Sequence, residues 1–571
     1  MGPMGRIVVV VAAASSLVAT ETPAGSLSGP VSDAGRTAEL VDLIQFPATS
    51  VSLPLARIEF VREVPDGSGR LFANDMRGPF YAIDQGTLSV YLDMSVLRPG
   101  LVSDNLGTGF ISFAFHPDFA TNGLFYTVHT EEAGTSQPNL EPALPVTALH
   151  HAVLTEWQTS DPAANTFSGD SRELIRIPAP HAYHNLGEIG FDPGLVSGDP
   201  GYGLLYIAAG DFGSVVRGDF DQLQRLDTPY GCILRIDPTG APFERNGVTY
   251  PYAIPLANPH AGTPGVLGEI YAHGFRNPQN FHFDRGGLGT LFVMDIGQGN
   301  LEEVNLVGAG RNYGWPVREG TFALDPVVDT ETVLPLPAGD DSLGFTYPVA
   351  QYDHEEGSAI AGGLAVRTGP ASALRGAFVF GDIVTGRMFH ADVDSMILAD
   401  DGDPATTAPI YELTLLREGQ PTNLLAVVRA ATGSLLPWRT DLRLHADLSG
   451  RLLVSTKQDG YLRELIPTPL DPTSTSPHRD ILESWSVSPN PFNPRTAFWF
   501  VLSAEVEVRL RLHDTRGRRV RTLVDGPLPQ GPHRFEWDGR DDHGRTVASG
   551  VYLYELRAGK RTARGKLSLV R

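Results

Sequence analysis

From about residue 55 onward the chain repeats one pattern: a turn carrying glycine, then a short run of apolar, β-favouring residues. The copies are SGRLFANDM (Ser68–Met76), NGLFYTVHT (Asn122–Thr130), GYGLLYIAAGD (Gly201–Asp211), LGTLFVMDIG (Leu288–Gly297), RGAFVFGDI (Arg375–Ile383) and SGRLLVSTK (Ser449–Lys457). They recur roughly every 55 to 90 residues, a period that fits one supersecondary unit plus a variable loop. Most are followed by a second apolar run, such as GCILRID or GRMFHADVD. Long amphipathic helical patterns are scarce, and short apolar runs bounded by turns read as strands. The expectation is an all-β chain: a six-bladed β-propeller over residues 50–467, each repeat contributing to one four-stranded blade. No linker separates the copies, which argues against a string of separate sandwiches.

After residue 467 the pattern changes. Residues 468–485 are rich in Pro, Ser and Thr and read as a linker. Residues 486–571 alternate cleanly, as in Glu505–Leu512, His533–Trp537 and Val551–Leu556, with turns at Asp525-Gly526, Asp538-Gly539 and Ala548-Ser549-Gly550. This predicts a small Ig-like β-sandwich. It holds 16 Lys and Arg against 9 Asp and Glu, while the whole chain has a net charge of −22. The excess fits a solvated face or a dock for an acidic partner.

Glycine (62) and proline (45) are plentiful, as turn-rich β folds require. The acidic balance excludes the basic footprint of a nucleic-acid binder. Cys232 is the only cysteine, so an intramolecular disulfide and a thiolate metal cluster are both excluded. At the N-terminus, Arg6 precedes the apolar run Ile7–Ala14 and then small residues. This reads as a signal peptide over residues 1–19, too short to span a membrane. The expected protein is exported (secreted, periplasmic or at the cell surface), with no membrane span.

The candidate chemistry centres on His181–Gly213. His184 lies in the polar turn His184-Asn185-Leu186-Gly187, and the strand Leu204–Ala208 runs into Asp211. Strand pairing would bring imidazole and carboxylate together as a base and its orienter. A histidine beside a glycine turn is also what an ordinary loop residue looks like. A second polar stretch, His273–Asn280, adds Arg276 and Asn277. His181 and His184 lack a third ligand for zinc. Phosphate-loop, dinucleotide, HExxH and GxSxG motifs are absent.

An ordered set of motifs resembles the soluble quinoprotein glucose dehydrogenase and aldose sugar dehydrogenase family, also called glucose/sorbosone dehydrogenase-like. It comprises Phe113–Phe119, His184–Gly187 with Gly210-Asp211, and Gly274–Pro278. Asp295–Gln298 with Glu302–Asn305, Asn312–Pro316 and Ala359–Gly363 complete it. The resemblance implies a six-bladed propeller that oxidises an aldose at C1 to the lactone, with hydride passing to pyrroloquinoline quinone (PQQ) and on to an external electron acceptor. By that resemblance His184 is the general base, Asp211 orients it, and Arg276 faces the quinone carbonyls. Asn277, Arg439 and Arg443 help hold the cofactor. Calcium (Ca2+) is implied at the carbonyls of Gly297 and Gln298, with a second calcium at Glu302, Glu303 and Tyr313.

Three departures stand against it. Gly107 occupies a place where the family has Gln or Glu, and Asp382 stands where it has a cofactor-binding lysine. Of the late arginines only Arg439 and Arg443, around Asp441, are visible. On this reading Asp382 would repel a polyanionic quinone, and Arg387 is the nearby compensating charge. The competing expectation is a non-catalytic exported propeller that binds a glycan or protein partner. The C-terminal module resembles the Ig-like domain of flagellar hook-capping type through Asn490–Pro494, Asp514–Arg518, Trp537–Asp541 and Ala548–Tyr552. That resemblance implies a surface-sorting or anchoring tail.

Overall fold

Each of the six repeated segments forms a strand, and each of those strands is second in its sheet. The computed structural model describes residues 27, 30–215, 217–284, 290–325, 329–469, 482–488, 492, 494–502, 505–514, 516, 518–529, 531–559 and 561–570. The expected signal peptide, residues 1–19, lies outside the described residues, as does 470–481 of the expected linker.

The first sheet runs Ile58–Glu63, Leu71–Asp75, Pro79–Asp84, Thr87–Asp93. The second runs Phe110–Phe115, Leu124–Glu132, His150–Thr159, Gly169–Ala179, and the third Leu186–Phe191, Leu205–Ala209, Cys232–Ile236, Ile270–His273. The fourth runs Asn280–Phe283, Leu291–Asp295, Leu301–Val307, Ala350–Asp353. The fifth starts Ile360–Ala365, Ala377–Asp382, Met388–Asp392, Ile410–Arg417. The sixth starts Leu442–Ala446, Leu452–Thr456, Tyr461–Pro467, and Ser32–Gln45 joins it to the fifth as one continuous nine-stranded sheet. Neighbouring strands within each of these six groups, in the order given, are antiparallel. The first strand of every sheet touches the first strand of the next, and that of the sixth touches that of the first.

The sixth sheet takes its fourth strand from the other end of the chain. Ser32–Gln45 pairs antiparallel with Tyr461–Pro467, and its other edge pairs parallel with Ile410–Arg417 of the fifth sheet. This strand lies ahead of residue 50, where the repeats were expected to begin. Its alternation is weak, with mostly exposed or half-buried positions around a buried Ala38 and Leu40.

The second strands are apolar on both faces because each is covered on both sides. Leu71–Asp75, Leu205–Ala209 and Leu452–Thr456 are buried at every position. Cys232 is fully buried with no disulfide partner, and burial pushes its thiol well above the usual range. Helices are few. The nine-residue Leu424–Thr432 is capped by Asn423, whose side chain accepts the Ala426 N–H at 2.8 Å, and stops at Gly433 in the left-handed region.

At the C-terminus, Leu482–Ser488, Thr496–Leu502 and Gly531–Trp537 make one sheet. Arg519–Leu528, Val506–Asp514, Gly550–Ala558 and Arg561–Leu569 make another. One core, including Phe498, Trp537, Leu510 and Leu556, draws on both. Its first strand begins inside the stretch expected to be linker. Among the described residues no helix is long and apolar enough to cross a membrane.

Candidate functional site

The site lies where second strands end and loops lead into first strands. Four second strands end in, or just before, an aspartate: Asp75, Asp211, Asp295 and Asp382. Three of these clasp the backbone entering the first strand of their own sheet. Asp75 accepts the Arg57 N–H at 3.1 Å. Asp295 accepts those of Arg276 and Asn277 at 3.0 and 2.6 Å. Asp382 accepts those of Ser358 and Ala359 at 2.7 and 2.8 Å. At Asp211 an imidazole takes that place.

His184 Nδ1 lies 2.8 Å from Asp211 Oδ1. The same oxygen accepts the Gly213 N–H at 2.8 Å, and Oδ2 accepts the Trp315 indole N–H at 3.2 Å. The backbone adapts to bring them together. His184 and Phe212 both sit in the left-handed region, at φ 58° and 53°, and the Phe212 N–H bonds the His184 carbonyl at 3.1 Å. Such positions cost about 1–3 kcal/mol and persist where the surroundings enforce them. Gly210 is required for the approach: a Cβ there would lie 2.4 Å from the His184 carbonyl oxygen.

Burial and the Arg276 guanidinium hold the His184 imidazole below its ordinary pKa, against the opposing pull of Asp211. Burial pushes Asp211 up, but His184, Arg276 and the Gly213 N–H outweigh it and hold the carboxyl below the usual range. The pair is thus a neutral imidazole on an ionised carboxylate. With Nδ1–H given to Asp211, Nε2 is left as the basic nitrogen.

Arg276 joins through its backbone, whose carbonyl accepts the Asp211 N–H at 2.7 Å. Its guanidinium donates to Gln298 Oε1 at 2.7 and 3.0 Å and to the Ile296 carbonyl at 3.0 Å. It stands 5.7 Å from the centre of the Trp315 ring. Asn277 is fixed by its backbone, through Asp295 and through its carbonyl, which accepts the Ile296 N–H at 3.1 Å.

The other predicted residues fall into separate groups. Arg439 pairs with Asp441 at 2.5 Å. Arg443 pairs with Glu59 at 2.6 Å, and Lys457 with the other Glu59 oxygen. Gln279 Nε2 reaches Glu59 at 3.4 Å, tying this buried cluster to the Arg276 loop. Gly297 packs against the Leu301 carbonyl and Glu319, and Glu319 Oε1 accepts the N–H groups of residues 298–301 at 2.8–3.1 Å.

Glu302, Glu303 and Tyr313 do not converge. Glu302 bonds His354 at 2.9 Å and the Ile360 N–H at 2.9 Å. Glu303 bonds the Asn305 amide at 3.0 Å and the Gly320 N–H. The Tyr313 hydroxyl donates to the Leu306 carbonyl at 2.9 Å, and its ring stacks on Phe275. Adjacent strand residues point to opposite faces, so the paired glutamates cannot share a ligand. Among the described residues no three His, Cys, Asp or Glu gather as at a metal centre.

The departures at Gly107 and Asp382 have structural causes. A Cβ at Gly107 would lie 2.7 Å from the Ala182 carbonyl oxygen, and the Gly107 carbonyl accepts the Asn185 amide at 2.9 Å. Asp382 is fully buried and its oxygens are taken up by N–H and hydroxyl donors, so they are not free to meet a ligand. Arg387 is engaged with Glu356 and Glu412 instead of offsetting it.

Sequence reasoning missed Glu59, Lys457 and the bond from Trp315 to Asp211. Lys457 was visible as the lysine closing the sixth repeat, where four others have aspartate. Glu59 carries no local signal.

Burial opposes its ionisation, yet Arg443 and Lys457 hold the Glu59 carboxyl at about 2. Burial and Arg443 push Lys457 down to about 8.

The HIPL2 protein of Arabidopsis thaliana is 27% identical over 376 residues, 57% of this chain and 51% of its own length. Quinoprotein glucose dehydrogenase B of Acinetobacter calcoaceticus is 28% identical over 231 residues, 38% of this chain and 42% of its own. The chain thus spans about half the length of curated relatives it matches. The soluble aldose sugar dehydrogenase of Escherichia coli, in its apo form, shares the fold. Its TM-score is 0.52 at 18% identity, covering 76% of this chain and all of that one. Residues 495–561 match the FlgD Ig-like domain. Residues 60–403, more than half of the chain, match the glucose/sorbosone dehydrogenase family, and the chain belongs to that family.

Proposed function

We propose that this chain is an exported quinoprotein-type dehydrogenase that oxidises the C1 hydroxyl of an aldose to the lactone. The observation that carries this is the His184–Asp211 pair, braced by Trp315 and flanked by Arg276. The six sheets are then the blades of a six-bladed propeller, supported by the closed ring of first strands. The two C-terminal sheets are an Ig-like sandwich that attaches the protein to a surface. An external acceptor takes the electrons onward.

The residues present fit a polyanionic quinone. Arg57, Arg276, Arg439, Arg443 and Lys457 bring five cations to the side where first strands begin and second strands end, against Glu59 and Asp441 among their partners. When bound, PQQ accepts the hydride from C1. His184 Nε2 takes the C1 hydroxyl proton, and Asp211 stabilises the resulting imidazolium. Trp315 keeps Asp211 from turning away. Arg276, held by Gln298, places positive charge where negative charge develops. Asn277, Arg439, Arg443 and Lys457 would hold the cofactor. Calcium belongs with the carbonyls of Gly297 and Gln298, neutral hard oxygens of the type it takes. The separate engagements of Glu302, Glu303 and Tyr313 speak against a second ion there.

Calorimetric titration of the calcium-loaded protein with PQQ, then dye reduction with a panel of aldoses, tests the reading. Binding with aldose-dependent turnover supports it; no binding at high micromolar cofactor sinks it. One observation favours a non-catalytic glycan-binding propeller instead: Arg439, Arg443 and Lys457 are already bonded to internal carboxylates.

Two further outcomes follow from the geometry. A base must be neutral, and the folded environment lowers the His184 pKa from 6.5. Activity should therefore persist as pH falls through 6.5 and be lost only below it. A kcat profile whose acid limb lies above 6.5 removes His184 as that group. Trp315→Phe keeps the ring but removes the N–H from Asp211. One such bond is worth about 1 kcal/mol, so kcat should drop roughly five- to tenfold. The less satisfied carboxylate should also raise the His184 pKa, moving the acid limb upward. An unchanged limb would leave Trp315 a packing residue only.

A further inference from the structure

The turn that carries His184 is held by a side-chain amide, and that amide is held by an imidazole from the neighbouring sheet. His150 opens the strand His150–Thr159 of the second sheet and is 1% exposed. Its Nε2 lies 2.9 Å from the Oδ1 of Asn185, the residue after His184. The Asn185 amide nitrogen donates to two carbonyls, that of Gly107 at 2.9 Å and that of Ala182 at 3.2 Å. Asn185 is itself buried. It thus ties together the loop before Phe110–Phe115, the His184 turn and the start of His150–Thr159.

The inventory of donors and acceptors leaves one arrangement. Both Asn185 N–H groups go to carbonyls, so Oδ1 can only accept. His150 must then carry its proton on Nε2. Burial lowers the His150 pKa, which favours that neutral form. Its Nδ1 is buried and meets no hydrogen-bond partner among the described residues. A leucine would fill this place without stranding a nitrogen, so packing alone does not account for an imidazole. The donor does: without it the Asn185 Oδ1 would be buried and unsatisfied, and nothing would fix which way the amide turns.

The amide matters for what it restrains. Residue 184 sits at φ 58°, a conformation that its surroundings must enforce. The bond from Asn185 to the Ala182 carbonyl closes the chain around it. Gly107 permits the approach, since a Cβ there would lie 2.7 Å from the same Ala182 carbonyl oxygen. We propose that His150 is a positioning residue for the base: acting through Asn185, it holds His184 against Asp211. Its effect on rate rests on the dehydrogenase reading; its effect on the His184 turn does not.

The test uses His150→Leu, which removes the donor, and His150→Gln, whose amide nitrogen can restore it. Aldose-dependent dye reduction by the calcium- and PQQ-loaded protein gives kcat and KM. Isotope-edited NMR of the cofactor-free protein reports the protonation of each imidazole. Misplacing a reacting group costs on the order of 10²-fold, so kcat should fall by about that factor in His150→Leu. KM should stay within about threefold, and His150→Gln should recover most of kcat. The Nδ1–H signal of His184, bonded to Asp211, should be lost in His150→Leu and return in His150→Gln. The parent should show His150 protonated on Nε2. Those signals with no aldose turnover in the parent would uphold the clamp and remove the dehydrogenase. Turnover in the parent, with kcat or the His184 signal unchanged in His150→Leu, overturns the clamp and leaves the dehydrogenase standing. Equal losses in the two variants overturn it as well, because the donor would then not be what counts. A parent His150 protonated on Nδ1 overturns it without any variant, so the test stands even if His150→Leu fails to fold.

Discussion

His184→Asn is expected to lower aldose-dependent dye reduction by about 10²–10⁴-fold, the usual contribution of a positioned general base. Asparagine is the replacement of choice because residue 184 sits at φ 58°, a conformation Asn tolerates better than other side chains. The loop 182–185 also anchors Gly107 and Gly210, and these contacts run through backbone atoms and Asn185, so they survive the change. Cofactor binding, followed by calorimetry, should persist within a fewfold. Turnover within tenfold of the parent at equal cofactor occupancy would take the base role from His184. Loss of both turnover and binding would mean that the imidazole holds the cofactor rather than moves a proton.

The largest effect on stability is expected at Glu59. It is 1% exposed and pairs with both Arg443 and Lys457, themselves 6% exposed in their side chains. Its carboxyl is held at about 2 against an ordinary 4.5, which favours the folded state. Lys457, at about 8 against 10.5, is also shifted down, which for a cation disfavours its charged form and opposes folding. Each shift corresponds to roughly 3 kcal/mol, so the two nearly cancel, as is common for a buried pair. Breaking the pair is different. Glu59→Gln takes from two buried cations the carboxylate they are paired with and should cost about 3–5 kcal/mol. Lys457→Met should cost less, because Glu59 keeps Arg443 and the buried ammonium is gone. The deficit of Glu59→Gln should narrow as pH rises, since a lone Lys457 can shed its proton. In the parent, a group with a depressed folded pKa gives its stability above the unfolded value. The Glu59 contribution is therefore present above pH 4.5 and lost on falling toward pH 2. Thermal melts of both variants across pH 5–9 measure this; equal losses in the two, independent of pH, would refute the charge argument.

What the sequence made legible was local. The six turn-plus-strand repeats all became second strands, because an apolar run bounded by glycine turns leaves few other options. His184 and Asp211 bond through their side chains, and the Arg276 carbonyl bonds the Asp211 N–H, because each stands where a second strand ends or a first strand begins. The recurrent Asp75, Asp295 and Asp382 were equally visible, and they show why Asp382 is a clasp rather than a departure. What stayed hidden lies between sheets. Glu59 meets Arg443, 384 residues away, and Lys457, and Trp315 meets Asp211 from the next sheet. Tyr313 lies close to Glu303 in sequence yet turns away to Phe275 and Leu306. The strand Ser32–Gln45 was missed because both its edges are satisfied by partners far along the chain, Ile410–Arg417 and Tyr461–Pro467, so its own alternation is weak.

That strand also sets a timetable. A polypeptide made from its N-terminus releases Ser32–Gln45 first, but its two partners are Ile410–Arg417 and Tyr461–Pro467. At about 5–20 residues per second the second partner follows roughly 20–90 s later. Throughout that interval the nascent chain carries an unpaired edge able to join any other exposed strand. Early sheets can form as they are made, whereas the fifth and sixth remain unjoined until the last of them arrives. Such a chain favours delayed folding, and a carrier that keeps the leading segment apart until synthesis is complete would raise the yield of closed molecules.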